Sequence, residues 1–187
     1  MTFEEYLDTS YGPVNLAHCA PMIQEEIDLL GDADPFASQR GLVDRLRAQL
    51  AGLPAEALDW KPAPREWSVH EVVAHLAQSE LVYGFRYRWI VAFPGTPVAG
   101  YDQEVWIDGL PDKDQPIEEL LDELAAMKSF NMAFLERLTD EERARHGLHS
   151  ERGPESVAAL IGGIAGHDIL HERQIAENIR QWRIRAA

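Results

Sequence analysis

The sequence has one cysteine, Cys19, among 187 residues. A lone thiol cannot close an internal disulfide, so the expected setting is a reducing compartment. No apolar run approaches the length of a membrane span. The beginning of the chain carries Glu4, Glu5 and Asp8 and no long apolar stretch after them, unlike a secretory leader. These features together predict a cytoplasmic protein with no membrane partner. Positive charge is scarce as well: 17 Lys and Arg stand against 32 Asp and Glu, a formal charge of −15. Phosphate backbones and anionic bilayers attract Lys and Arg, so the balance argues against nucleic acid. The one mild basic cluster, Arg173, Arg180, Arg183 and Arg185, suits the C-terminal end of a helix.

What the chain does have is helical periodicity almost throughout. Its length suits one domain with a sizeable core. Asp34-Pro35 reads as a cap followed by proline at the first helical position, and Leu42, Val43, Leu46, Leu50 and Leu53 keep helical spacing as helix one. Helix two has the best-marked start: Ser68 is the N-cap, Glu71 completes a capping box, and Trp67 with Val72 makes a hydrophobic staple. Val69, Val72, Val73, Leu76, Val82, Tyr83 and Trp89 carry it to Val91, and Pro94-Gly95-Thr96-Pro97 stops it. A long connection, Phe93 to Gln115, follows, and connections of this length are often functional. Pro116 opens helix three, through Leu120, Leu121, Leu124, Met127, Phe130, Phe134 and Leu138. Thr139 to Arg152 reads as a polar loop with one helical turn at Asp140 to Arg143. Pro154 then opens helix four, which continues to Trp182 or Arg183. No strand-length alternation competes with this reading. The expected architecture is an all-α four-helix bundle over 35–187. Residues 1–34 form an N-terminal extension packed on it, with a helix across Ala20 to Leu30.

Three of the seven histidines stand out. His167 and His171 are four apart, which places both imidazoles on one helix face, and both follow Ile164 on the buried stripe of helix four. His75 holds a similar position on helix two, between Val72 and Val82. Three imidazoles from two helices can hold a divalent ion and leave positions open for water or substrate. His70 is five residues before His75 and points elsewhere, so His70-Glu-Val-Val-Ala-His75 does not make the zinc-protease pattern, which needs a spacing of four. His146 and His149 fall in the polar loop and His18 in the extension, where solvation is expected. A lone buried histidine is more often a hydrogen-bonded core residue than a ligand. The i, i+4 pair together with the third ring is what favours a site. Gly162, Gly163, Ala165 and Gly166 would let a neighbouring helix come close to the pair.

Other residues are candidates through the helix wheel. Tyr83 and Arg86 follow His75 on nearly the same face and could line a pocket and hold an anionic group. The more common reading is a core tyrosine and a surface or salt-bridge arginine. Asp102 and Glu104, in the connection, could orient an imidazole or accept a proton, or be solvated loop acids. Asp168 and Glu172 face away from the histidine stripe and suit surface or interhelical pairing.

Trp60-Lys-Pro, Trp67-Ser68, His75-Leu76 and His167-Asp-Ile-Leu-His171 with Gln174-Ile175, in this order and separation, resemble the DinB-like superfamily. The resemblance runs from Phe36 to Arg183. It implies a DinB-like four-helix bundle with a long connection between helices two and three. It also implies a divalent metal site of three histidines, here His75, His167 and His171. Ni or Zn would be the first expectation, with Mn or Fe also suited to imidazole. The superfamily includes S-transferases that use bacillithiol or mycothiol, and a mycothiol-dependent maleylpyruvate isomerase. The expected function is therefore that of a metal-dependent enzyme, with thiol S-transfer using a low-molecular-weight thiol cosubstrate as the leading reaction. The alternatives are a metal-dependent hydrolase and a non-catalytic metal- or small-ligand-binding protein of the stress response. A small-molecule ligand and a homodimer complete the expectations.

Overall fold

A computed structural model describes residues 24–186. The expected cap and proline start α1 (Pro35–Leu50), where the Asp34 carboxylate accepts from the backbone N–H groups of Phe36 and Ala37. After the short α2 (Ala55–Asp59) comes α3 (Val69–Ala92), opened by the Ser68–Glu71 capping box. The long connection then carries β1 (Pro97–Val98), α4 (Gln103–Gly109) and a 3-10 turn at Pro111–Asp114. The third long helix is α5 (Ile117–Leu135), followed by α6 (Asp140–Ala144). The strands β2 (His146–His149) and β3 (Gly153–Ser156) lead into α7 (Val157–Ala186).

The four long helices form the bundle. α3 packs against α5 and α7, and α1 closes the far side against the same two helices. A helical stretch over 24–30 precedes them and lies on α7: Ile27 meets Gly162, and the Glu26 backbone meets Gly166. The part of the expected extension before residue 24, including His18, Cys19 and the start of its helix, lies outside the described residues.

Three sequence expectations need correction. Strands do occur: β1, β2 and β3 form a small sheet in that order, with β1 parallel to β2 and β2 antiparallel to β3. Pro154 does not open the last helix. It sits in edge strand β3 opposite Leu148, a place where its missing N–H leaves no central ladder bond unmade. Phe130 is not on the core face of its helix. Its ring is exposed and stacks under the Arg88 guanidinium, 4.2 Å from the ring centroid.

The core divides into two apolar clusters along the bundle axis. One gathers Leu42, Leu46, Val69, Val72, Leu120, Leu124 and Ile175. The other gathers Tyr83, Tyr87, Ile90, Leu135, Leu160 and Ile164. Where the two clusters meet along α3, α5 and α7, a group of polar side chains is buried: His75, Ser79, Glu80, Lys128, Asn131, His167, Asp168 and His171. A buried charged layer is tolerable only when its members are paired. Lys128 meets Glu80 at 2.9 Å and Asp168 at 2.7 Å, and Asn131 donates to Glu80 Oε1 at 2.8 Å. This accounts for the carboxylates of the layer and leaves its three histidines to be explained.

Candidate metal centre

The three histidines expected to act together do meet. His75 projects from α3, and His167 and His171 project from α7, which packs directly on it. The Nε2 atom of His167 lies 3.0 Å from Nε2 of His75 and 3.1 Å from Nε2 of His171. All three residues are buried, and all three offer one nitrogen to a common point. Trp67, just before the cap of α3, covers the group: its ring centroid is 4.7 Å from that of His75 and 6.1 Å from that of His171.

Protonation narrows what these nitrogens can be. Burial, then the neighbouring His171, lowers the His75 pKa to about 3. Burial followed by the two other rings and Lys128 lowers His167 well below the usual range. His171 is also lowered by burial, against the opposing effect of its bond to Gln174. The rings are therefore neutral near pH 7. The 2.8 Å contact between His171 Nδ1 and Gln174 Oε1 makes Nδ1 the protonated nitrogen, so its Nε2 carries a lone pair aimed at the cluster.

That donor set fits a divalent ion. Nitrogens held about 2.1 Å from one ion stand about 3.0–3.4 Å apart for right-angled to tetrahedral coordination, and the two short separations here fall in that interval. Neutral imidazole is the usual nitrogen ligand for Zn, Ni, Fe and Mn. Without a cation, converging lone pairs in an apolar surrounding repel unless one ring turns its proton inward. The fit is incomplete in one respect. Nδ1 of His75 and Nδ1 of His167 are buried and have no partner among the described residues, whereas a ligating imidazole usually donates its second N–H to an acceptor.

A cavity of about 380 Å³ adjoins the cluster, with His167, Ser79, Tyr83, Arg86, Tyr101 and His149 among its lining residues. Ser79 is one turn after His75 on α3, 3.4 Å from its Nε2 and 2.9 Å from the Tyr101 hydroxyl. Tyr83 and Arg86 both line this cavity. Arg86, however, is not a surface residue, being only 2% exposed. Asp102 is at the rim, exposed, and its carboxylate caps α4 by accepting from the backbone of Glu104 and Val105. Glu104 instead accepts from the Trp67 indole at 3.2 Å and so holds the aromatic cover. Asp168 and Glu172 pair between helices, with Lys128 and Arg45.

Sequence reasoning passed over several residues of this wall, Ser79, Tyr101, His149 and Glu26 among them. Ser79 could have been found, since it stands four residues after His75 on one helix. Tyr101 lay in the long connection with no periodic signal. His149 was expected in solvent, yet it is 1% exposed, because the pairing of β2 with β1 and β3 turns it inward. Glu26 also lines the cavity, and its carboxyl is raised to about 7 by burial, with Arg152 opposing and Glu155 adding to the rise.

No helix among the described residues is long and apolar enough to cross a membrane. Comparisons with known proteins agree with the geometry. A protein of Oceanobacillus iheyensis named "putative metal-dependent hydrolase" is 27% identical over 128 residues, covering 68% of this chain and 73% of that protein. A Geobacillus kaustophilus protein of the same name is 29% identical over 147 residues, covering 75% of this chain and 80% of that one. Among solved structures, YfiT of Bacillus subtilis superposes with a TM-score of 0.74 at 21% identity, over 79% of this chain and 85% of its own. It is described as "a probable metal-dependent hydrolase with an unusual four-helix bundle topology". The sequence profile of the DinB superfamily matches residues 40–175, a span that holds all three histidines, and the chain belongs to that superfamily.

Proposed function

We propose that this protein is a divalent-metal-dependent enzyme whose ligands are His75, His167 and His171, and that its substrate occupies the adjoining cavity. The observation that carries this reading is the convergence of three neutral Nε2 atoms beside a solvent-reachable, polar-walled space. A divalent ion held by neutral imidazoles keeps its full double charge and lowers the pKa of a thiol or water next to it.

The chain's own groups have separate roles in this proposal. Trp67 shields His75 and His171 from solvent on one side. The hydrogen-bonded hydroxyls of Ser79 and Tyr101 offer a path for a proton leaving the space near His75. No cysteine occurs among the described residues that line the cavity, so in this proposal the sulfur nucleophile is a cosubstrate. The leading reaction is transfer of a low-molecular-weight thiol to an electrophilic carbon. Hydrolysis is the second reading. The names of the relatives favour it, and so does Glu26: a carboxyl with a pKa of about 7 on the cavity wall can accept a proton from water and return it.

The test is a paired assay of metal-loaded wild type and His167→Ala. One arm follows the thioether formed from bacillithiol or mycothiol and a model electrophile. The other follows acid released from simple esters and amides. The proposal expects one product class from wild type, lost by at least two orders of magnitude in the variant. Metal-loaded protein that turns over neither class contradicts the catalytic reading.

A further inference from the structure

One wall of the cavity brings hydrogen-bond donors face to face. The Nδ1 atom of His149 accepts from the backbone N–H of Glu151 at 3.2 Å and of Arg152 at 3.3 Å. A nitrogen that accepts carries its lone pair, so the ring's single proton belongs on Nε2. The ring is neutral at ordinary pH, since burial, Arg152 and Arg86 lower its pKa to about 3. Its Nε2–H is directed at Arg86 Nη2, 3.1 Å away. A guanidinium has donors and no acceptor. Two donors thus meet at hydrogen-bonding distance with no acceptor between them among the described residues. Arg86 Nε adds another: it is buried and has no partner among the described residues. The bond from Nη2 to the Ala99 carbonyl, 2.8 Å, is the satisfied one. Buried donors without an acceptor are destabilising, and more so when charged.

We propose that Arg86 and His149 form a carboxylate-binding subsite, so that the substrate class of this cavity is a small organic acid. An acceptor oxygen placed there would take the Nε–H of Arg86 and the Nε2–H of His149 together. The charge balance selects a carboxylate over a phosphate or sulfate. Arg152 is already neutralised by its two-point pairing with Glu155. Among the described residues of this wall Arg86 is left as the cation without a carboxylate at hydrogen-bonding distance, and Glu26, Asp102, Glu104 and Glu151 line the same cavity. A singly charged, planar carboxylate matches one guanidinium, whereas a dianion would face those acids. The Arg86 guanidinium lies 5.3 Å and 6.0 Å from the ring centroids of Tyr83 and Tyr101, which limits its reorientation. His167 and Ser79 line the same space, so an acid anchored on Arg86 extends toward the histidines. The purpose of the subsite rests on the catalytic reading above, but its occupancy needs no metal.

Calorimetric titration of the full chain, as purified and after chelation, tests this with acetate and butyrate against sulfate and phosphate at constant ionic strength. Saturable carboxylate binding is expected, with a Kd on the order of 1 mM. It should be retained in His171→Ala and at least ~10-fold weaker in Arg86→Gln. Retention in a His171→Ala protein that no longer takes up metal separates the subsite from the metal reading. Tighter binding of phosphate or sulfate than of acetate overturns the carboxylate assignment, and absence of saturable binding overturns the subsite. Should Arg86→Gln fail to fold, the wild-type histidine nitrogen spectrum serves instead. A His149 Nε2–H signal that shifts with acetate supports the proposal, and an Nδ1–H tautomer indifferent to acetate sinks it.

Discussion

Gly166 lies so close to Glu26 that a Cβ built on the glycine would stand 1.6 Å from the Glu26 carbonyl oxygen. The residue next to a candidate ligand, His167, is therefore where the stretch over 24–30 touches α7. The small residues of this helix serve a close approach, as the sequence suggested, but the approaching element comes from before the bundle.

Gly166→Ala should consequently act on that contact more than on the bundle. Alanine is the better helix former by about 1 kcal/mol, so α7 itself has no reason to weaken. Residues 24–30 should lose their seat, and hydrogen exchange there should rise while α3 and α5 remain protected. Unchanged exchange over 24–30 would contradict the contact.

The buried ion triad makes a second prediction. In Lys128→Met, Glu80 and Asp168 lose their shared cation within the bundle. Breaking such a group typically costs about 3–5 kcal/mol, and urea unfolding at pH 7 should show a loss of that size. Burial raises Asp168 to about 6 even with Lys128 opposing it. Removing the ammonium raises it further, so the variant's deficit should shrink as pH falls and the acid takes up a proton. A deficit independent of pH would argue against the triad.

His149 gives a pH dependence of opposite sign. Its pKa is about 3 in the folded chain against 6.5 when unperturbed. Below pH 6.5 the unfolded chain binds a proton that the folded ring refuses, so stability falls as pH falls toward 3. The contribution is about 1.4 kcal/mol per pH unit. Between pH 6 and pH 5, wild type should lose about that much more than His149→Gln in urea titrations. Parallel curves would mean that the ring is charged or solvated.

Much of the fold could be read directly. The Asp34-Pro35 start, the Ser68–Glu71 box and the periodic leucines are local signals, and each marks the element it predicted. The histidine triplet was legible because a spacing of four on one helix is a geometric statement that survives folding. The sheet was not. β1 has two residues and pairs in parallel across a large separation in sequence, so no alternation records it. His149 was misread for the same reason, because its burial depends on partners distant in the chain. Arg86 read more readily as a surface or salt-bridge residue than as a pocket residue, because nothing on its own helix records its burial.

Metal content tests the central claim most directly. Protein purified without a histidine tag should carry, or take up after chelation, one equivalent of a divalent ion such as Ni, Zn, Mn or Fe. Trp67 fluorescence should change on Ni loading, since its ring packs on two of the ligands. His167→Ala should keep its helical content and lose the ion. A folded wild-type chain that neither contains nor accepts any of these ions would contradict the account.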